Sequence, residues 1–214
     1  MNGSLVDLAW ASGDMSEACF LSGFRYRFRT MPFTRQTVRR PGRHLITKGE
    51  LDRANCQVTG EMGKLGLWNR RLDDVNVWLV PASFSCYGWF IYGGDIHIPA
   101  VNGAQWADFF LGHHTRLTDV LRHEWAHAFA DRRPRLIATK RFRSAFGASY
   151  DSPDPVRAYD PDHHLTRYAA TSSCEDFAET FHFYLRHKGR LPIRLQAKPE
   201  IVRKWDFIAS ATSS

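Results

Sequence analysis

The sequence predicts an α+β fold, in which a small mixed or antiparallel sheet packs on an active-site helix and a second ligand-bearing helix. Two observations predict it. Strand-like segments come first and helical ones afterwards, an order that belongs to α+β domains rather than to alternating α/β ones. The second is the run His123-Glu124-Trp125-Ala126-His127, set among apolar residues at helical spacing.

Val75–Val80 reads as a strand that ends at Pro81, and Phe84–Tyr92 as an aromatic, apolar segment broken by Gly93-Gly94. Asp95-Ile96-His97-Ile98 alternates polar and apolar before Pro99, as a half-exposed strand does. A strand at that place forms the upper wall of a cleft, and its free edge is expected to pair with an extended peptide; an ordinary internal strand is the competing reading. Helical patterns follow around Ala104–Phe110, Thr115–Asp131, Cys174–His187 and Pro199–Ala209, with Pro199 suited to the first helical position. Ala211–Ser214 reads as a frayed tail. Residues 1–20 are weakly helical at best, and Arg35–Asn69 is rich in Gly and Arg without a readable period. Residues 1–70 therefore stand as an N-terminal segment of undetermined structure, apart from or within the domain of residues 71–214.

At 214 residues and 43% hydrophobic content, the chain is long enough for one domain with a real core. No apolar run approaches the length of a membrane span. The N-terminus lacks the basic start and apolar stretch of a signal peptide, which implies a cytoplasmic protein or one exported without a classical leader. Cys19, Cys56, Cys86 and Cys174 are widely spaced with no CxxC pair, so free buried thiols are expected rather than a zinc ribbon or a disulfide scaffold.

The net charge of +7 is unevenly placed. Arg25, Arg27, Arg29, Arg35, Arg39, Arg40 and Arg43 occur without an acidic residue between Ala18 and Gly49. Arg132, Arg133, Arg135, Lys140, Arg141 and Arg143 follow the motif helix. Such runs attract acidic peptides, nucleic acid or anionic lipid. Phe24, Tyr26 and Phe28 alternate with arginines, the pattern of a strand with an aromatic buried face more than of a base-stacking platform.

On a helix, residues four apart sit on one face, so His123 and His127 can point two imidazoles at one zinc ion. Glu124 stands beside them as a general base. This is the H-E-x-x-H pattern of zinc hydrolases. Leu117, Val120, Leu121, Trp125, Ala128 and Phe129 supply the inward stripe, Thr115 and Thr118 are candidate N-caps, and Pro134 stops the helix. The bland alternative is an exposed helix that carries two His and a Glu by chance.

A catalytic zinc needs a third protein ligand. Ala130 and Arg133 occupy the places where metzincins carry Gly and His, which excludes that class. Further on, Glu175, Glu179 and His182 share one face of a helix, with Phe177, Ala178, Phe181, Tyr184 and Leu185 inward. Glu175 can also close a capping box with Ser172, a service that Asp176 with Ser173 offers one residue later. Asp119 and Asp131 flank the histidines at steps of four, so either can orient an imidazole. Two loop histidines, His163 and His164, lie near Tyr168. One of them can touch substrate, although a solvated place is the default.

Tyr168, followed seven residues later by Glu175-Asp-Phe-Ala-Glu179-Thr-Phe, together with the H-E-x-x-H run, resembles the zinc site of the anthrax lethal factor type of gluzincin. The resemblance covers about fifteen residues here and the five of the motif, and the 47 residues between His127 and Glu175 suit that type. It implies a zincin-like fold, Zn2+ held by His123, His127 and Glu175, Glu124 as base, Tyr168 as oxyanion partner, and Glu179 as a nearby carboxylate. It also implies hydrolysis of a peptide bond in a protein substrate, as in a selective toxin or effector protease. The basic runs suggest that this substrate has an acidic segment. Two alternatives stand beside it: a regulatory metallopeptidase similar to the ImmA/IrrE type, acting on a repressor, and a non-enzymatic basic nucleic-acid binder with structural zinc. The segment Ser144–Arg167, with Pro153, Pro155 and Pro161, reads as a long loop that covers or shapes the cleft.

Overall fold

The structure is a computed structural model that describes residues 45–83, 86–102, 116–152 and 158–213. All of these residues fall within one compact unit. The aromatic–arginine alternation at 24–29, the first basic run up to Arg43, the helix at 104–110, Thr115, and Pro153 and Pro155 all lie outside the described residues.

The first described element is a helix, although the Arg35–Asn69 stretch that holds it has no readable period. Helix α1, Lys48–Lys64, opens on a complete capping box: the Thr47 hydroxyl accepts from Glu50 N–H, and the Glu50 carboxylate accepts from Thr47 N–H. Leu51, Ala54, Val58 and Met62 recur at steps of three and four and are buried. That signal was present in the sequence, but the Gly- and Arg-rich surroundings obscured it.

Three strands follow: β1 (Val77–Ser83), β2 (Trp89–Phe90) and β3 (Ile96–Asn102), in the order β1-β3-β2. β1 runs parallel to β3, with Val77 opposite Ile96, and β2 runs antiparallel to it. The sheet is mixed. β1 does not stop at Pro81 as expected; it continues to Ser83, because an edge strand tolerates a residue without an N–H. β3 is the central strand. β1 covers one side, while β2 and the Leu45–Ile46 backbone cover the other, with Ile46 N–H donating to Ala100 O at 2.9 Å. The expected free edge at Asp95–Ile98 is therefore occupied, and the internal-strand reading holds. Gly93, at φ +69°, turns β2 into β3. At Gly88 a Cβ would stand 2.8 Å from Ile98 Cδ1 and 3.2 Å from Val120 Cγ1, so any larger residue would make both side chains give way.

Helix α2 (Leu117–Asp131) carries the H-E-x-x-H run beneath the sheet. Its N-cap is Arg116, which makes no side-chain cap, and Thr118 lies inside the helix rather than at its cap. Two short helices, α3 (Pro134–Ile137) and α4 (Lys140–Phe146), come next, with Pro134 starting α3. Ser144 and Phe146 thus belong to a helix, and Tyr150 is buried, which shortens the expected loop from its N-terminal end. Helix α5 (Ser173–Arg186) follows a single 3-10 turn, Tyr168–Ala170. It ends on Lys188 and Gly189 at positive φ. The chain closes with α6 (Ile193–Gln196) and α7 (Pro199–Ser210). Ala211 is buried and its carbonyl accepts from Arg133 Nη1 at 2.7 Å, so the tail is not frayed there. Of the described cysteines, Cys56 is exposed and Cys86 and Cys174 are half-buried, so none of these free thiols is a core residue.

Two packing contacts set the helix spacing. Phe129 of α2 meets Phe181 of α5 with ring centroids 5.1 Å apart. Phe177 sits in a cluster with Phe142, Phe146, Tyr150 and Phe207, which joins α4, α5 and α7. Phe177 is fully buried. Phe177→Ala is expected to lower stability by about 3–5 kcal/mol, read as a lower urea midpoint with an unchanged m-value.

Candidate metal centre

Helix α2 presents His123 and His127 on one face, and α5 lies against it so that Glu175, in its first turn, meets them. His123 Nε2 and His127 Nε2 are 3.1 Å apart. Glu175 Oε2 stands 3.0 Å from the first and 3.5 Å from the second. A tetrahedral ion with bonds of about 2.0–2.1 Å holds its ligand atoms roughly 3.3 Å apart, so the three atoms are spaced as ligands of one ion. Glu175 Oε2 is buried and makes no aligned hydrogen bond, which suits a lone pair directed at a cation. Among the described residues this is the one group of His, Cys, Asp and Glu side chains that converges in this way.

Ser172 is the N-cap of α5, and its hydroxyl accepts from Glu175 N–H. Only the backbone of Glu175 takes part in that cap; its carboxylate turns to the histidines. Ser173 instead donates its hydroxyl to Ser149 O and anchors the turn that carries Tyr150.

Each imidazole is oriented through its other nitrogen. His123 Nδ1 lies 2.9 Å from Glu179 Oε1, and His127 Nδ1 lies 2.9 Å from the Tyr150 hydroxyl. With both Nδ1 atoms so occupied, both Nε2 atoms face Glu175. Tyr150 was not anticipated. It stands 23 residues after His127, at no fixed offset that a sequence pattern could use.

Asp131 and Asp119 do not orient the histidines. Asp131 accepts from Gly93 N–H and pairs with Arg132, tying α2 to the β2–β3 turn. Asp119 turns to Arg122 and His182. His164 does not join the centre either. It is buried in its own loop, where Nδ1 accepts from Asp160 N–H and the ring stacks on Tyr159. Tyr168 is half-exposed, with its ring centroid 5.6 Å from that of His123.

Burial works against charge here, and the outcome depends on the neighbours. For Glu175 and Glu179 burial would raise the carboxyl pKa, but the adjacent histidines outweigh it and hold both well below the usual carboxylate range. Burial pushes Glu124 up, with the Glu175 charge adding to it, and its two histidine neighbours only partly offset that. Burial likewise raises the Tyr168 phenol, with Glu175 and Glu124 adding to the effect, so its proton stays in place. His123 is raised to about 10, since Glu175 and Glu179 overcome the burial that opposes its charge. Three carboxyl groups thus close around two imidazoles, a donor set of the kind that a divalent cation takes. No protein-family model, curated protein or solved structure matches this chain.

Two outcomes are expected. Glu175→Ala should lose zinc affinity by at least a hundredfold in a chelator competition, because two histidines remain as the only ligands. Metal-free His123 carries a proton through neutrality, which a metal must expel. Apparent zinc affinity should therefore rise about tenfold per pH unit between 6 and 9, and calorimetry in buffers of different ionisation enthalpy should count the released proton.

Proposed function

We propose that the chain is a zinc-dependent endopeptidase with a zincin-like domain, cleaving a peptide bond in a protein substrate. The convergence of His123 Nε2, His127 Nε2 and Glu175 Oε2, with Glu124 next to His123 on the same helix, carries this reading. Three protein ligands leave a tetrahedral ion one position for a non-protein partner, as in catalytic rather than structural zinc sites. Zinc bound there supplies a Lewis acid and lowers the pKa of a water from about 15.7 to about 7.

The chain's own residues do the rest. Glu124, buried and with a raised pKa, takes the proton of the attacking water and passes it to the departing amine nitrogen. A carboxylate tuned upward is a stronger base than an ordinary glutamate and takes up that proton more readily. The Tyr168 phenol keeps its proton and donates to the carbonyl oxygen as it becomes an oxyanion. Tyr168 is 52% exposed whereas Glu124 is 6%, so the tyrosine marks the open side from which a peptide enters. Glu179 and Tyr150 hold the imidazoles in the tautomer that ligation requires.

Arg135, Lys140, Arg141 and Arg143 are exposed after the motif helix, and they support a substrate with an acidic segment. Turnover should then fall as ionic strength rises; a flat response would remove the acidic segment from the proposal.

The decisive experiment is metal analysis of the purified protein beside its Glu124→Gln twin, with a proteome-wide search for new N-termini. Glu124→Gln should keep a full equivalent of zinc and lose nearly all cleavage. Tyr168→Phe should bind zinc normally and lower kcat by about a hundredfold. A Glu124→Gln protein that cleaves at the wild-type rate would show that the base is elsewhere.

A further inference from the structure

Beyond the ligands, the seam between α2 and α5 continues as a ladder of alternating charges. Glu179 Oε1 touches His123 Nδ1 at 2.9 Å and lies 4.0 Å from His182 Nδ1. His182 Nε2 lies 3.2 Å from Asp119 Oδ1. Asp119 then binds Arg122 Nη1 at 2.6 Å, and Arg122 makes a two-pronged contact with Glu61 of α1, both distances 2.8 Å. The order is Glu175, His123, Glu179, His182, Asp119, Arg122, Glu61. Each helix contributes one carboxylate and one histidine to a reciprocal pair: Asp119 of α2 faces His182 of α5, and Glu179 of α5 faces His123 of α2.

We propose that His182, held as a cation between Asp119 and Glu179, is a positioning residue that fixes the Glu179 carboxylate on His123 Nδ1 and so presents His123 Nε2 to the metal. This rests on the zinc reading of the site.

Glu179 is largely buried on the same helix face as Glu175, so it stands as one of several crowded anions. An unpaired carboxylate there would swing away and free His123 to rotate. His182 supplies the compensating charge from one turn further along α5. It is buried itself, and burial disfavours its charge, yet Asp119 and Glu179 outweigh that and raise its pKa. Its Nε2 makes no aligned hydrogen bond and its Nδ1 lies 4.0 Å from Glu179, so the contacts act as ion pairs rather than as directed hydrogen bonds. Arg186 and Arg122 also reach Asp119, which keeps that carboxylate ionised opposite His182.

The test measures zinc affinity by chelator competition for wild type, His182→Gln, Glu179→Gln and the double variant, with nitrogen-15 spectra of the metal-free wild type at neutral pH. His182→Gln should weaken zinc binding about ten- to hundredfold. In the Glu179→Gln background the same change should cost nothing further, since the carboxylate through which it acts is gone. The spectra should show both His182 nitrogens protonated, a readout that needs no variant to fold. A neutral His182, an unchanged affinity in His182→Gln, or an equal loss with and without Glu179 would each overturn the inference while leaving the metal site standing. A wild-type protein that takes up no zinc would overturn the site itself, and this inference with it.

Discussion

Everything in this molecule depends on how buried carboxylates and imidazoles face one another across the α2–α5 seam. Charges taken out of water are tolerated only in company, and here the company is alternating. Glu175, Glu179 and Asp119 are interleaved with His123, His127, His182 and Arg122, so each anion has a cationic or ligand-forming neighbour. The same interleaving directs two imidazole nitrogens and one carboxylate oxygen to a single place. The groups that neutralise the seam are thereby the same ones that bring the three candidate ligand atoms together.

The aromatic packing gives that seam its dimensions. Phe129 against Phe181 fixes the distance between the two helices, and the cluster around Phe177 ties α5 to α4 and α7. Interiors packed in this way deform little, so carboxylate-to-imidazole distances near 3 Å are set by rings some way off. Further clamps act at the ends. Asn55 of α1 accepts from Trp125 Nε1–H, and Lys204 of α7 pairs with Asp176 in the interior. Burial still raises the Asp176 carboxyl to about 6 against the pull of Lys204. That pairing turns Asp176 towards α7 and leaves its neighbour Glu175 to face the histidines.

Several features differ from the sequence reading for reasons that are local and physical. Pro81 interrupts no pairing because β1 is an edge strand, and β3 lost its free edge to backbone from Leu45 and Ile46, distant in sequence. His164 is withdrawn into its loop, where the turn at Asp160 and the Tyr159 ring enclose it. Asp119 and Asp131 have the helical offset of imidazole partners, yet stronger partners claim them: guanidinium and imidazolium groups for one, a backbone N–H and Arg132 for the other.

The sequence by itself determined what repeats at fixed spacing. Helical periodicity places His123, Glu124 and His127 on one turn, and it puts Phe177, Ala178 and Phe181 inward on α5 with Glu175 and Glu179 on another face. It also places the three strands ahead of α2 to α7, although α1 precedes them without being read. Tertiary structure alone decided which carboxylate reaches which imidazole, because that depends on helix separation and rotation, which no offset encodes. It chose Glu179 over Asp119 for His123, Tyr150 over Asp131 for His127, and His182 as the cation between two acids. Those choices follow from packing at a distance, and a linear pattern holds no record of them.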